Sequence, residues 1–145
     1  THFESNWDHH GSNFKACRTK LPNLDNAVAS LIEDLDDRGL LDRTIVAVLG
    51  EMGRTSKINK EAGRDHWGTC QSVLVAGGGF TRGNIVGATD KHAAFVTDKY
   101  YKIESFGRTI YSLLGIDPDQ LLYSTESRPH KLVVEETPLI QEAIA

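Results

Sequence analysis

From about Phe14 to Arg38, apolar residues recur at steps of three and four. Leu21, Leu24, Ala27, Val28, Leu31, Ile32 and Leu35 form one stripe, and Asp25, Glu33, Asp34, Asp36 and Asp37 lie off it. That period predicts an amphipathic helix. Pro22 stands early in it, at a first turn or at a kink between two helices, and Gly39 has the place of a C-terminal cap. The pattern then changes. Ile45-Val46-Ala47-Val48-Leu49 is an unbroken apolar run closed by Gly50, which predicts a short strand over 44–50, buried on both faces. Ser72 to Ala76 reads as a second strand ended by Gly77-Gly78-Gly79, and Asn84 to Ala88 as a third. Glu104 to Leu114 returns to helical spacing through Phe106, Ile110, Leu113 and Leu114, with Gly115 as stop and Pro118 beyond. Leu132 to Val134 predicts a last strand, and Pro138 to Ala145 a short closing helix. Residues 1–13, 52–70, 89–102 and most of 119–137 lack a period and read as loops. The order helix, strand, loop, strand, strand, helix belongs to the α/β class and fits part of an α/β sandwich.

Composition narrows the picture. The chain has 145 residues, 39% hydrophobic and 25% charged, enough for one domain with a core and unlike a disordered chain. The net charge of −4 is spread over interspersed signs, which gives no electrostatic case for nucleic acid or an anionic membrane. No apolar run approaches the roughly 18 residues of a bilayer span. Cys17 and Cys70 are far apart and outside any C-x-x-C pattern, so they read as free, small core residues. The chain starts without Met, and its first polar motif lies almost at the terminus. A further N-terminal part is therefore expected.

Three polar groups carry candidate chemistry. Asp8-His9-His10 offers a carboxylate and imidazoles suited to zinc or manganese. In an extended segment residues 8 and 10 point the same way and His9 points away; a solvated polar terminus has the same composition. Arg64-Asp65-His66-Trp67 places a histidine beside an acid, the usual dress of a hydrogen-bonded histidine and also of a ligand with an orienting carboxylate. Glu51 follows the buried strand directly, between Gly50 and Gly53, where open α/β sheets collect their chemistry. Arg54 and Arg64 are candidates for clamping an anion, against the default of a solvated arginine. Gly77-Gly78-Gly79 lacks the Lys-Ser/Thr of a P-loop and reads as a turn. Asp90, Lys91 and His92 read as a solvated loop, and His130 as structural. No G-x-S-x-G elbow or Ser–His–acid spacing is present.

Taken in order, these segments resemble a known family. Asn6-Trp7-Asp8-His9-His10-Gly11 is similar to G-W-D-x-H-G. Gly50-Glu51-Met52-Gly53-Arg54-Thr55-Ser56-Lys57-Ile58-Asn59 is similar to G-E-F-G-R-T-P-x-I-N, and Gly63-Arg64-Asp65-His66-Trp67 to G-R-D-H-W. Val75-Ala76-Gly77-Gly78-Gly79, Gly87-Ala88-Thr89-Asp90 and the run Thr109 to Ile116 match V-A-G-G-G, G-A-T-D and T-I-Y-x-L-L-G-I. The set resembles the C-terminal part of domain-of-unknown-function family 1501, a sulfatase-like group of the alkaline phosphatase superfamily. His9, Asn6 and Ser56 depart from the family's commoner Thr, Gly and Pro, and His9 offers a second imidazole that could ligate in place of His10.

The resemblance implies the C-terminal portion of an α/β/α sandwich with divalent metals at its strand ends, zinc favoured and manganese or calcium as alternatives. It implies that Asp8, His10 and His66 hold one ion, that Glu51 stands at a second, and that Asp65 is a ligand or an orienting partner. Arg54 and Arg64 would stabilise an anion. The nucleophile would lie in the missing N-terminal part, so this portion alone is expected to be inactive. The expected substrate is a small anionic sulfate or phosphate ester, and the expected location periplasmic or secreted. A non-catalytic binding module of the same fold is the competing expectation.

Overall fold

The computed structural model describes residues 7–134 and 136–145. Its first element, α1 (Asn13–Asp37), follows the apolar stripe to within a residue of the expected ends. Pro22 lies inside it, and the helix runs on through that position. At the far end Gly39 adopts φ 64°. Its N–H donates to Asp36 O, and that of Leu40 to Leu35 O, the paired bonds that close a helix whose next residue can turn left-handed.

A 3-10 turn, Leu41–Arg43, leads into β1 (Val46–Val48). There follow β2 (Gly53–Arg54), β3 (His66–Trp67), β4 (Leu74–Ala76), β5 (Ala88–Thr89) and β6 (Val96–Asp98). Helix α2 (Ile103–Leu113) comes next, then β7 (Leu121–Tyr123), β8 (Pro129–Lys131) and a closing 3-10 turn, Gln141–Ala143. The described strands form two-stranded antiparallel ladders: β1 with β4, β2 with β3, β5 with β6, and β7 with β8. The chain is thus mixed α/β.

β2, β3, β6, β7 and β8 lie in stretches that read as loops, and the expected strands differ in three places. The run at 44–50 was expected to be covered on both faces. In the structure Val46 and Val48 are half-buried, and Ala47 and Leu49 are exposed. A ribbon of two strands covers only part of either face. The third strand begins at Ala88 rather than Asn84, because Gly83 and Gly87 take φ 67° and 82°, and Ile85 is 89% exposed. Leu132 to Val134 is not a strand. The ladder lies just before it, in the β7–β8 hairpin, although the N–H of Leu132 still bonds Gln120 O.

The glycine run is the turn the sequence suggests, with φ of 71°, 55° and 93°. At Gly77 a Cβ would lie 2.3 Å from the carbonyl oxygens of both Leu41 and Thr44, so only glycine closes this corner. The buried apolar residues are Leu41, against Gly77, Phe80, bridged to Ile144, and Val133, whose N–H bonds Pro118 O; Ser105 and Thr109 are buried on α2. Thr109 Oγ1 donates to Ser105 O at 2.7 Å and accepts the N–H of Ile140 at 2.9 Å. A buried hydroxyl is thereby satisfied on both sides, and the chain end is tied to α2. The two cysteines are free, as expected.

Candidate metal centre

Two segments far apart in sequence are laid side by side by their backbones. The N–H of Arg64 donates to His9 O at 3.1 Å, that of Ser12 to Glu61 O at 2.9 Å, and that of Asn13 to Ala62 O at 3.0 Å. Gly63 makes this approach feasible: a Cβ there would fall 1.9 Å from His10 O. Asn59 secures the same junction. Its amide nitrogen donates to His10 O at 2.9 Å and Asp65 Oδ1 at 3.1 Å, while its oxygen accepts the N–H groups of Gly63 and Glu61. One residue on, the β2–β3 ladder pairs Arg54 with His66. Directly paired residues share a face, so the arginine and the histidine stand together.

The result is a group of three donors, Asp8, His10 and His66, whose ligand atoms all lie within 4.8 Å of one another. Asp8 Oδ1 is 3.0 Å from His10 Nε2 and 3.1 Å from His66 Nε2, and the two Nε2 atoms are 3.3 Å apart. With bonds of about 2.0–2.1 Å, the edge of a tetrahedron around zinc is about 3.3 Å. The three atoms therefore have the spacing of one tetrahedral face, and two imidazoles with one carboxylate are a donor set that suits it.

Protonation follows from the outer contacts. Asp65 Oδ1 lies 2.8 Å from His10 Nδ1. An ionised carboxylate only accepts, so Nδ1 donates to Asp65, and Nε2 is the nitrogen left to face Asp8 and His66. Asp65 thus stands behind His10 and orients it. The hydrogen bond from His10, and then that from Asn59, hold the Asp65 carboxyl below its ordinary value. Asp8 is held down to about 2, first by the Arg54 guanidinium and then by His66. Both are carboxylates at neutral pH, the form a cation needs.

The other expected residues are distributed differently. Arg54 Nη1 donates to Asp8 Oδ1 and so belongs to the group. Glu51 is not brought to the three donors: it is 67% exposed at the side chain, and Arg54 Nη2 is 3.8 Å from its Oε1. Arg64 is turned elsewhere. Its Nη1 donates to the carbonyls of Thr55 at 2.6 Å and Ser56 at 2.9 Å, and its guanidinium lies 5.9 Å from the Phe14 ring centroid. It braces the loop. His9 is left out of the three-donor group; its ring lies beside that of Trp7, and its backbone N–H bonds Trp7 O in a turn, so the segment is not the fully extended one expected. Trp67 donates to Ala94 O at 2.7 Å and meets the edge of Phe95, anchoring the β5–β6 hairpin. Asp90 accepts the N–H groups of His92 and Ala94 and is consumed in its own turn. His130 is exposed on β8.

Asn59 was given no role by the sequence pattern, although it closes the Gly50–Asn59 motif. Arg54's other flank opens on a shallow cavity of about 270 Å³, lined also by Gly50, Met52, Cys70 and Ser72.

A family model described as "Protein of unknown function (DUF1501)" matches residues 1–144. Comparison with curated proteins and with solved structures gave no match. No helix among the described residues is long and apolar enough to cross a membrane.

Proposed function

The chain belongs to the DUF1501 family, and from that premise we propose that Asp8, His10 and His66 hold a divalent metal in a hydrolase of sulfate or phosphate esters. The observation that carries this reading is the triangle of donor atoms, with edges of 3.0, 3.1 and 3.3 Å. Zinc is the first choice, because two imidazoles suit it better than they suit calcium, which prefers oxygen donors. On the same reading the fold is the C-terminal portion of a sulfatase-like α/β/α sandwich of the alkaline phosphatase superfamily.

Bound there, the metal would supply Lewis acidity toward an ester oxygen and lower the pKa of a nucleophile. The chain's own residues have narrower tasks. Asp65 keeps the His10 proton on Nδ1. Arg54 presents a permanent positive charge beside the metal position, where an oxyanion gains most from it. Glu51, on the far side of Arg54, is the candidate acid for a second ion.

Among the described residues no Ser, Thr or Cys side chain bonds to Asp8, His10 or His66. On the proposed reading the nucleophile comes from outside the described residues, which alone are expected to be inactive. The same observation favours a second reading, a metal-binding module without catalysis.

The test is metal analysis of the purified protein beside His66→Ala, followed by assay against aryl sulfate and aryl phosphate esters. The proposal expects about one equivalent of metal in the wild type, its loss in the variant, and turnover of one ester class. Equal metal content in both proteins removes His66 from the site. A metal-loaded full-length protein inert toward both esters moves the assignment to the binding module.

A further inference from the structure

Asp8 Oδ1 is crowded. It faces His10 Nε2 at 3.0 Å, His66 Nε2 at 3.1 Å and the Arg54 guanidinium. A metal held by the three donors would draw on the Asp8 carboxylate, whose Oδ1 Arg54 already engages. The guanidinium cannot yield by losing its proton, since arginine stays charged at any ordinary pH. Like charges at such short range repel, and movement of the guanidinium relieves the conflict.

Arg54 has somewhere to move. Its backbone is fixed opposite His66 in the β2–β3 ladder, but its second nitrogen already leans toward Glu51 at 3.8 Å. Its other flank lines the shallow cavity beside Gly50, Cys70 and Ser72.

We infer that Arg54 and the metal are alternative partners of Asp8 Oδ1, so that metal entry releases the guanidinium to receive an oxyanion. The inference rests on the metal site proposed above. Arg54 acts as a placeholder in the metal-free protein: it neutralises Asp8 while the two histidines already stand beside that carboxylate. In the metal-bound protein the same group is a free anion receptor one residue's reach away. Metal and oxyanion then bind with positive coupling, because each favours the state in which Arg54 has left Asp8.

The experiment is zinc titration against a chromophoric chelator, with wild type, Arg54→Gln and Arg54→Lys, each with and without inorganic sulfate. Removing the competitor should tighten zinc binding by about two- to fivefold in Arg54→Gln, the worth of one exposed ion pair. Arg54→Lys, which keeps the charge, should stay near the wild type. Sulfate should tighten zinc binding to the wild type and leave Arg54→Gln unaffected. Equal or weaker zinc binding by Arg54→Gln overturns the inference and makes Arg54 a strut of the site. So does a wild-type zinc affinity that ignores sulfate, an arm that needs no variant to fold. A wild type that takes up no zinc at all fails at the metal site itself, and the inference falls with it.

Discussion

Gly63→Ala tests whether the main chain, rather than the ligands' own side chains, builds the centre. Gly63 is buried and is not among the glycines of positive φ, so its backbone suits any residue. What excludes a side chain is proximity. A Cβ would lie 1.9 Å from His10 O, 2.0 Å from His10 C and 2.5 Å from Gly11 N. All three are backbone atoms that no rotamer change can move. Restoring an ordinary contact of about 3.4 Å requires the strands of this junction to part by about 1.5 Å. Strain of this kind costs about 1–3 kcal/mol. The effect on the site should be larger than the effect on the fold. The bonds from Arg64 N to His9 O and from Asn59 to His10 O, at 3.1 and 2.9 Å, cross the same gap. Metal–ligand distances tolerate only about 0.2 Å of error. Zinc affinity should therefore fall by about 10–100-fold, the loss seen when the support of a ligand is removed, although every ligand is still present. The assay is zinc competition titration, with Gly68→Ala as control, since a Cβ at Gly68 meets nothing within 4 Å. Gly63→Ala binding zinc as tightly as wild type would refute the reasoning, as would an equal loss in the control.

Two further expectations concern charge. Asp65→Asn replaces an obligate acceptor by a group that can also donate, which frees His10 to carry its proton on Nε2 and face the metal with the wrong nitrogen. Zinc affinity should drop by about tenfold or more with far-UV circular dichroism unchanged; full affinity would mean that Asp65 does not set the tautomer. At the other end of the fold, Lys99 and then the Tyr101 hydroxyl hold the Glu142 carboxyl down to about 2. The folded chain thus releases this proton more readily than the unfolded one. The contact's stabilisation is complete above the unfolded value of about 4.3 and is lost as pH falls toward 2. In urea titrations, the gap between wild type and Glu142→Gln should be constant above about pH 5 and close toward pH 2; a gap that ignores pH would show that the ion pair contributes nothing.

The elements legible in the sequence are those with enough length for a period to repeat. α1 and α2 begin and end within a residue of the apolar pattern, and the Gly77–Gly79 turn is written in the one residue that can take its angles. The ladders are two or three residues long, too short for alternation to show, and their partners are chosen by contacts far along the chain. The strand expected at 84–88 is displaced because Gly83 and Gly87 bend the backbone, a fact that apolar content does not report. Asp8, His10 and His66, proposed as ligands because metal chemistry restricts residue type, do come together in the fold. The tasks of the polar neighbours could not be read in this way. Nothing in the residue type says that Arg64 finds the carbonyls of Thr55 and Ser56 while Arg54 finds Asp8. Asn59 is an ordinary loop residue until its four hydrogen bonds are seen.

The span of the centre has a consequence for assembly. His10 and His66 are 56 positions apart, and the whole of α1 and β1 lies between them. Drawing those ends together costs chain entropy before the imidazoles gain anything from meeting. Main-chain bonds between 9–13 and 59–64 meet that cost without a cation. On the proposed reading, a metal arriving afterwards would act as a rivet through a seam already sewn: it would fasten a loop containing α1, and a chelator that drew it out would loosen the seam at its far end while leaving the stitches in place.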